Sequence, residues 1–200
     1  GTIILTATGL ITRVIGFFYR IYLSRLFGEE GMGIYQLLSP ALSLSFSLTA
    51  AGYQTAISKY VAADSAKRPS GNLKPLLAGI SITLPLSLVT NAILFFSADP
   101  IGIFLLKDHR TVPMLRILSF SVPFAALHAC INGYFYGKKK ASVPALTQLL
   151  EQLARVSCVF LVTGADLAEG RTPSINAAVL GLTVGEIFSM LIALVCLYIH

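Results

Sequence analysis

The chain has 200 residues, of which 55% are hydrophobic and only 12% charged, whereas soluble domains average about 25% charged. With a mean hydropathy of +0.77 this composition argues against a water-soluble fold, and apolar stretches long enough to cross a hydrocarbon core of about 30 Å recur along the whole sequence. The excess of 15 Lys+Arg over 9 Asp+Glu lies in short loops and at helix ends, so it reads as a topology signal and not as a nucleic-acid surface.

Six spans are predicted, at 3–27, 33–60, 75–96, 112–135, 143–162 and 175–199. Helices are the default, because open strands leave backbone groups unsatisfied in lipid and barrel strands would show alternating segments of about ten residues. The fold class is therefore all-α: a polytopic transmembrane helical bundle of six helices. Lys59, Lys67, Arg68 and Lys74 mark the second loop and Lys138, Lys139 and Lys140 the fourth, whereas the first (28–32) offers only Glu29 and Glu30. The positive-inside rule puts the basic loops, and with them both chain ends, in the cytoplasm. A chain that opens at Gly1 and stops at His200 directly after an apolar stretch suggests a piece of something longer.

The first span carries Arg13 and Arg20, seven residues apart and so on one face, with Arg25 near its outer end. An arginine at mid-membrane depth costs about 2.5–3.5 kcal/mol on insertion scales. Arg13 therefore faces either a wet cavity or a structural ion partner, while Arg25 snorkels to the interface. Within the third loop, 101–106 is a short apolar segment suited to lying in the outer interface, and too short to span. In the fourth span His128 and Asn132 stand one turn apart, a pattern that serves packing or a proton relay.

The fifth span holds Gln148, Gln152 and Arg155 at spacings of four and three, with Glu151 placed to pair with Arg155. Such a stripe turns toward the bundle interior, either as interhelical glue or as a cavity lining. Glu186 in the sixth span is a further acid, to be partnered by a first-span arginine or by Arg116. Cys130, Cys158 and Cys196 lie singly in apolar runs, with neither disulfide nor metal-site spacing. No phosphate loop, paired metal ligands or nucleophile with a base emerges, so no enzyme activity and no cofactor is predicted, although a coupling ion stays open.

Two stretches resemble a known family: Gly9-Leu-Ile-Thr-Arg13-Val-Ile-Gly-Phe-Phe-Tyr-Arg20-Ile with Leu26-Phe-Gly and Gly31-Met-Gly-Ile-Tyr35-Gln36-Leu, and Asn132-Gly-Tyr-Phe-Tyr-Gly137 followed by Gln148-Leu-Leu-Glu151-Gln152-Leu-Ala-Arg155. They are similar to stage V sporulation protein B-like flippases of the multidrug, oligosaccharidyl-lipid and polysaccharide exporter superfamily. The resemblance implies two six-helix bundles around a central cavity, some members having two further helices. This chain would be the N-terminal lobe of a transporter with 12–14 helices that works by alternating access, in the cytoplasmic membrane of a bacterium.

The substrate implied is an undecaprenyl-linked oligosaccharide or peptidoglycan-type precursor, for the cell wall, spore cortex or polysaccharide; partners are that lipid, membrane lipids and a C-terminal lobe. In the related lipid II flippases first-helix arginines line the cavity. Arg13 matches the first of these, whereas Tyr19 stands at the second place with Arg20 following, and 43–48 lacks the second-helix basic residue. The candidate cavity residues are Arg13, Arg20, Gln148, Glu151, Gln152, Arg155 and Glu186. A cation-coupled multidrug antiporter of the same superfamily is the alternative, and its acidic site would rest on Glu151 or Glu186.

Overall fold

The computed structural model describes residues 2–67 and 73–199; Gly1, Arg68 and His200 lie outside the described residues. Every regular element among the described residues is helical. In chain order they are α1 (Thr2–Leu37), α2 (Ser39–Phe46), a π-helical turn (Ser47–Ala51), α3 (Gly52–Lys67), α4 (Lys74–Phe96), α5 (Ala98–Pro100), a second π-helical turn (Ile101–Leu105), α6 (Thr111–Gly137), α7 (Ser142–Ala168) and α8 (Asn176–Ile199). Helices α4, α6, α7 and α8 are each long and apolar enough to cross a membrane.

The expected first loop, 28–32, is reduced to a break at one residue. Gly28 takes φ 68° and ψ −176° inside α1, a conformation open to glycine, and the helix resumes after it. The expected span 33–60 is helical but divided, because the turn at Ser47–Ala51 winds more loosely than its neighbours. Pro40 sits in the first turn of α2, where its missing N–H has no intrahelical partner to lose. Helix α7 outruns its expected end at 162, continuing through Gly164 to Ala168 and stopping before Gly170 at φ 71°.

Helix α6 is the centre of the bundle, packed against α3, α4 and α8, while α7 packs on α8 and α1. One core cluster joins Leu115, Leu118 and Val122 of α6 to Leu38, Leu94 and Val179; another joins Ile131 and Phe135 to Ile57, Val61 and Leu76. Tyr19, Leu23 and Val159 anchor α1 to α7 in a third. The approach of α3 to α6 depends on Gly133, where a Cβ would stand 2.6 Å from the Gln54 carbonyl oxygen. Large apolar side chains such as Phe17, Phe18, Leu44, Phe96 and Leu161 are exposed on the outer faces, as lipid contact requires.

Contacts at the two ends of the bundle alternate along the chain. Arg110, just before α6, pairs with Glu30, just after the Gly28 break, at 2.8 Å, so the first and third connections share one end. A Cβ on Gly133 would meet the Gln54 carbonyl oxygen and one on Gly137 the Ser58 carbonyl oxygen, each within 2.7 Å, so α3 and α6 run the same way and the second and fourth connections follow on the other side. The third connection contains the short apolar segment, whose π-helical turn buries Gly102 and exposes Phe104 and Leu105.

Candidate functional site

The polar stripe of α7 runs between two openings. On the α1 side, Gln152 Nε2 comes close to Gly16, where an added Cβ would stand 3.5 Å away. The contact is extended by Tyr22, whose hydroxyl is 2.8 Å from Thr163 Oγ1 and whose ring packs on Phe160. Around it Thr12, Arg13, Tyr19, Arg20, Tyr35, Gln152 and Arg155 line a cleft of about 420 Å³.

The chemistry of this cleft is that of unspent donors. Arg13 and Arg20 are exposed, and among the described residues neither guanidinium has a hydrogen-bond or ion-pair partner. Arg155 is ion-paired with Glu151 one turn earlier, yet its Nε is buried without a partner. Tyr19, 7% exposed, buries a hydroxyl that is likewise unpartnered. A buried donor left unmade costs about 1–3 kcal/mol, and three guanidinium groups with a phenol offer forked, charge-assisted bonds to an oxyanion.

On the other side of the stripe, Gln148 and Glu151 of α7 face His128 and Asn132 of α6, Glu186 of α8 and Gln54 of α3 around a smaller cavity of about 210 Å³. One carboxylate oxygen each of Glu151 and Glu186 and a ring nitrogen of His128 lie within 4.8 Å of one another. The Asn132 amide donates to His128 Nε2 at 2.8 Å. Ser189 Oγ lies against the same ring, 2.9 Å from Nδ1 and 2.8 Å from Nε2, and Glu186 Oε2 is 3.6 Å from Nδ1. Thr147 completes the group, 3.2 Å from Nε2. The small residue Gly185 lets α8 come this near, with an added Cβ 3.1 Å from the Glu151 carbonyl oxygen and 3.3 Å from Arg155 Cβ.

The seven candidate residues thus fall into two groups. Arg13, Arg20, Gln152 and Arg155 share the larger cleft, while Gln148, Glu151 and Glu186 share the smaller. The pairing of Glu151 with Arg155 is as the four-residue spacing indicates. The expected partner of Glu186 is corrected: Arg116 is held by Asp99 at 2.6 Å and lies over the Phe95 ring, and the acid faces His128 instead. Two contributors are not among the candidate residues. Tyr19 enters the sequence reading only as the residue standing where the related flippases carry their second arginine, whereas Ser189, three residues after Glu186, could have been found from helical spacing.

Compared with known proteins, all 200 residues match the sequence model of a family described as polysaccharide biosynthesis protein. The chain belongs to that family. Among relatives in the family's range, stage V sporulation protein B of Bacillus subtilis (strain 168) is 36% identical over 197 residues, covering 98% of this chain and 38% of the relative. An uncharacterized membrane protein of the same organism, YabM, is 27% identical over 157 residues, 78% of this chain and 29% of its own. Its lipid II flippase MurJ is 27% identical over 176 residues, 84% of this chain and 32% of the flippase. The chain therefore spans about a third of the length of these relatives. No solved structure matches significantly. Family membership and four membrane-length apolar helices make this a multi-pass protein of the cytoplasmic membrane.

Proposed function

We propose that this chain forms one six-crossing lobe of a flippase for a lipid-linked saccharide, in which Arg13, Arg20 and Arg155 hold the anionic headgroup during alternating access. The relatives named for lipid II flipping and for sporulation support the class of substrate, an undecaprenyl-linked oligosaccharide or peptidoglycan-type precursor. The pairing of the first connection with the third, and the parallel course of α3 and α6, support up-and-down crossings with the basic loops and both ends in the cytoplasm. The rest of the transporter supplies the opposite wall of the cavity.

A single observation carries the reading: three arginines and a buried, unpartnered tyrosine hydroxyl converge on one cleft inside an apolar bundle. Arg13 and Arg20, which have no ion partner among the described residues, are expensive at such depth unless an anion answers them, and a pyrophosphate entering low-dielectric surroundings needs fixed cationic partners of this kind. In this reading the protein moves its substrate without transforming it, and the cleft's arginines and hydroxyls serve to bind the headgroup. The test is translocation of a fluorescent lipid-linked pyrophosphate in proteoliposomes by the full natural chain. Arg13→Ala should reduce the rate at least tenfold, and an unchanged rate would sink the idea.

A further inference from the structure

The ion pair between Glu151 and Arg155 joins the two cavities, because each partner lines a different one. Around it the charges do not balance. Arg155 offsets one of the two acids, so Glu151, Glu186 and Arg155 together carry one negative charge in excess. It lies deep: Glu151 is nine residues into α7 from Ser142, and His128 is nine residues before the end of α6 at Gly137, about 14 Å by helical rise. Both acid side chains are mostly withdrawn from solvent, at 16% exposure for Glu151 and 19% for Glu186. A net charge at this depth favours the arrival of a cation.

The smallest such cation fits best. A metal ion would have to take a ring nitrogen from His128, whose two nitrogens are already engaged with Asn132 and with Ser189 and Glu186. A second proton on His128 would set an Nε2–H against the Asn132 amide donor. The carboxylates are the remaining acceptors, and two acids this close share a proton readily.

We propose that the Glu151–Glu186 pair binds one proton, and that this proton and an anionic headgroup in the Arg13–Arg20–Arg155 cleft favour each other through Arg155. With the shared proton on Glu151 and the remaining charge on Glu186, Arg155 is released from its ion pair and its fork is free to bond the anion. An anion on Arg155 in turn leaves Glu151 uncompensated beside Glu186, which strengthens proton binding; the coupling is reciprocal by linkage. The groups that bear on the pair are His128, Asn132 and Tyr136 of α6, Gln148 and Arg155 of α7, Ser189 of α8, Gln54 of α3, and Arg13, Tyr19, Arg20 and Tyr35 of α1 across the stripe. The coupling rests on the anion-binding reading of the cleft; the proton site does not.

Two measurements on the full natural chain test this. Infrared difference spectra between mildly acidic and mildly alkaline pH should contain a protonated-carboxyl band that disappears in Glu186→Gln. Inorganic pyrophosphate, used as the headgroup probe, should bind with uptake of one proton and weaken about tenfold per pH unit on the alkaline side. In Glu186→Gln both the uptake and the slope should vanish, and Glu186→Asp should restore them. If Glu186→Gln does not fold, Glu151→Gln replaces it, and proton uptake by the wild type still decides. Pyrophosphate binding without proton uptake overturns the coupling while leaving the cleft's role intact. A titrating carboxyl band with no pyrophosphate binding at any pH overturns the cleft reading and the coupling together. A band that responds to added zinc and not to pH overturns the proton site.

Discussion

Glu151 and Arg155 form an ion pair one helical turn apart on α7, and each opens onto a different cavity. Their side chains are 16% and 21% exposed, so neither charge is fully solvated when its partner is removed. Arg155→Ala leaves two acids facing each other, while Glu151→Ala leaves a guanidinium with only an anionic ligand to answer it. Each single change should destabilise the bundle by about 1–3 kcal/mol, less than the loss from a fully buried pair. Thermal unfolding in detergent checks this, and the double variant should lose less than the sum of the two.

Tyr19 separates binding from folding. Its hydroxyl is buried without a partner, so Tyr19→Phe removes an unmet polar group and should leave the unliganded protein as stable as before, or more stable by about 1 kcal/mol. The same change should weaken pyrophosphate binding several-fold, because the cleft loses a donor. Parallel unfolding and binding measurements distinguish this from a merely structural tyrosine, for which both would fall together.

Close helix approach makes two glycines unequal. A Cβ at Gly133 would stand 2.6 Å from the Gln54 carbonyl oxygen, whereas one at Gly9 would meet nothing within 4 Å. Gly133→Ala should therefore force α3 off α6 and cost about 1–3 kcal/mol. Gly9→Ala should be neutral or stabilise through helix propensity by about 0.5–1 kcal/mol. Comparing folded yield and unfolding midpoint for the two variants is sufficient.

The connection before α6 titrates. Asp108 accepts from the Arg110 backbone N–H and side chain, and the bond to the guanidinium holds its carboxyl below the usual carboxylate range. A lowered carboxyl contributes stability that is complete above its unfolded value and is lost as pH falls through its folded one. The protection of amides across 106–112, taken relative to their intrinsic exchange rate at each pH, should thus be high at neutral pH and fall only in acid below the ordinary aspartate range. In Asp108→Asn that protection should already be low at neutral pH and show no such fall.

Much of the bundle was legible because membrane insertion writes long apolar runs into a sequence. The ends of α4, α6 and α8 fall within two residues of their expected places. The break at Gly28 was legible as the first loop, expected at 28–32 beside Glu29 and Glu30, although not its reduction to one residue, and the π-helical turn at Ser47–Ala51 was not legible, since it lies inside an apolar run. Helical spacing found the Glu151–Arg155 pair, which is local. It could not assign Glu186, whose neighbour His128 is 58 residues distant, nor foresee that Asp99 would occupy Arg116. Spacing along a helix reports the face of a side chain; the helix opposite is decided by packing around α6.

The central place of α6 also sets an order of assembly. During synthesis it leaves the ribosome before α7 and α8 exist, carrying His128 and Asn132 into the membrane ahead of Thr147 and Ser189, the residues that later bond to them. Until then these polar groups depend on water, on the insertion machinery or on the earlier helices α3 and α4 that α6 also touches. The middle helix is thus made in the middle but finished last, and α8, whose arrival closes the polar cluster, is the natural checkpoint between a half-inserted chain and a settled one.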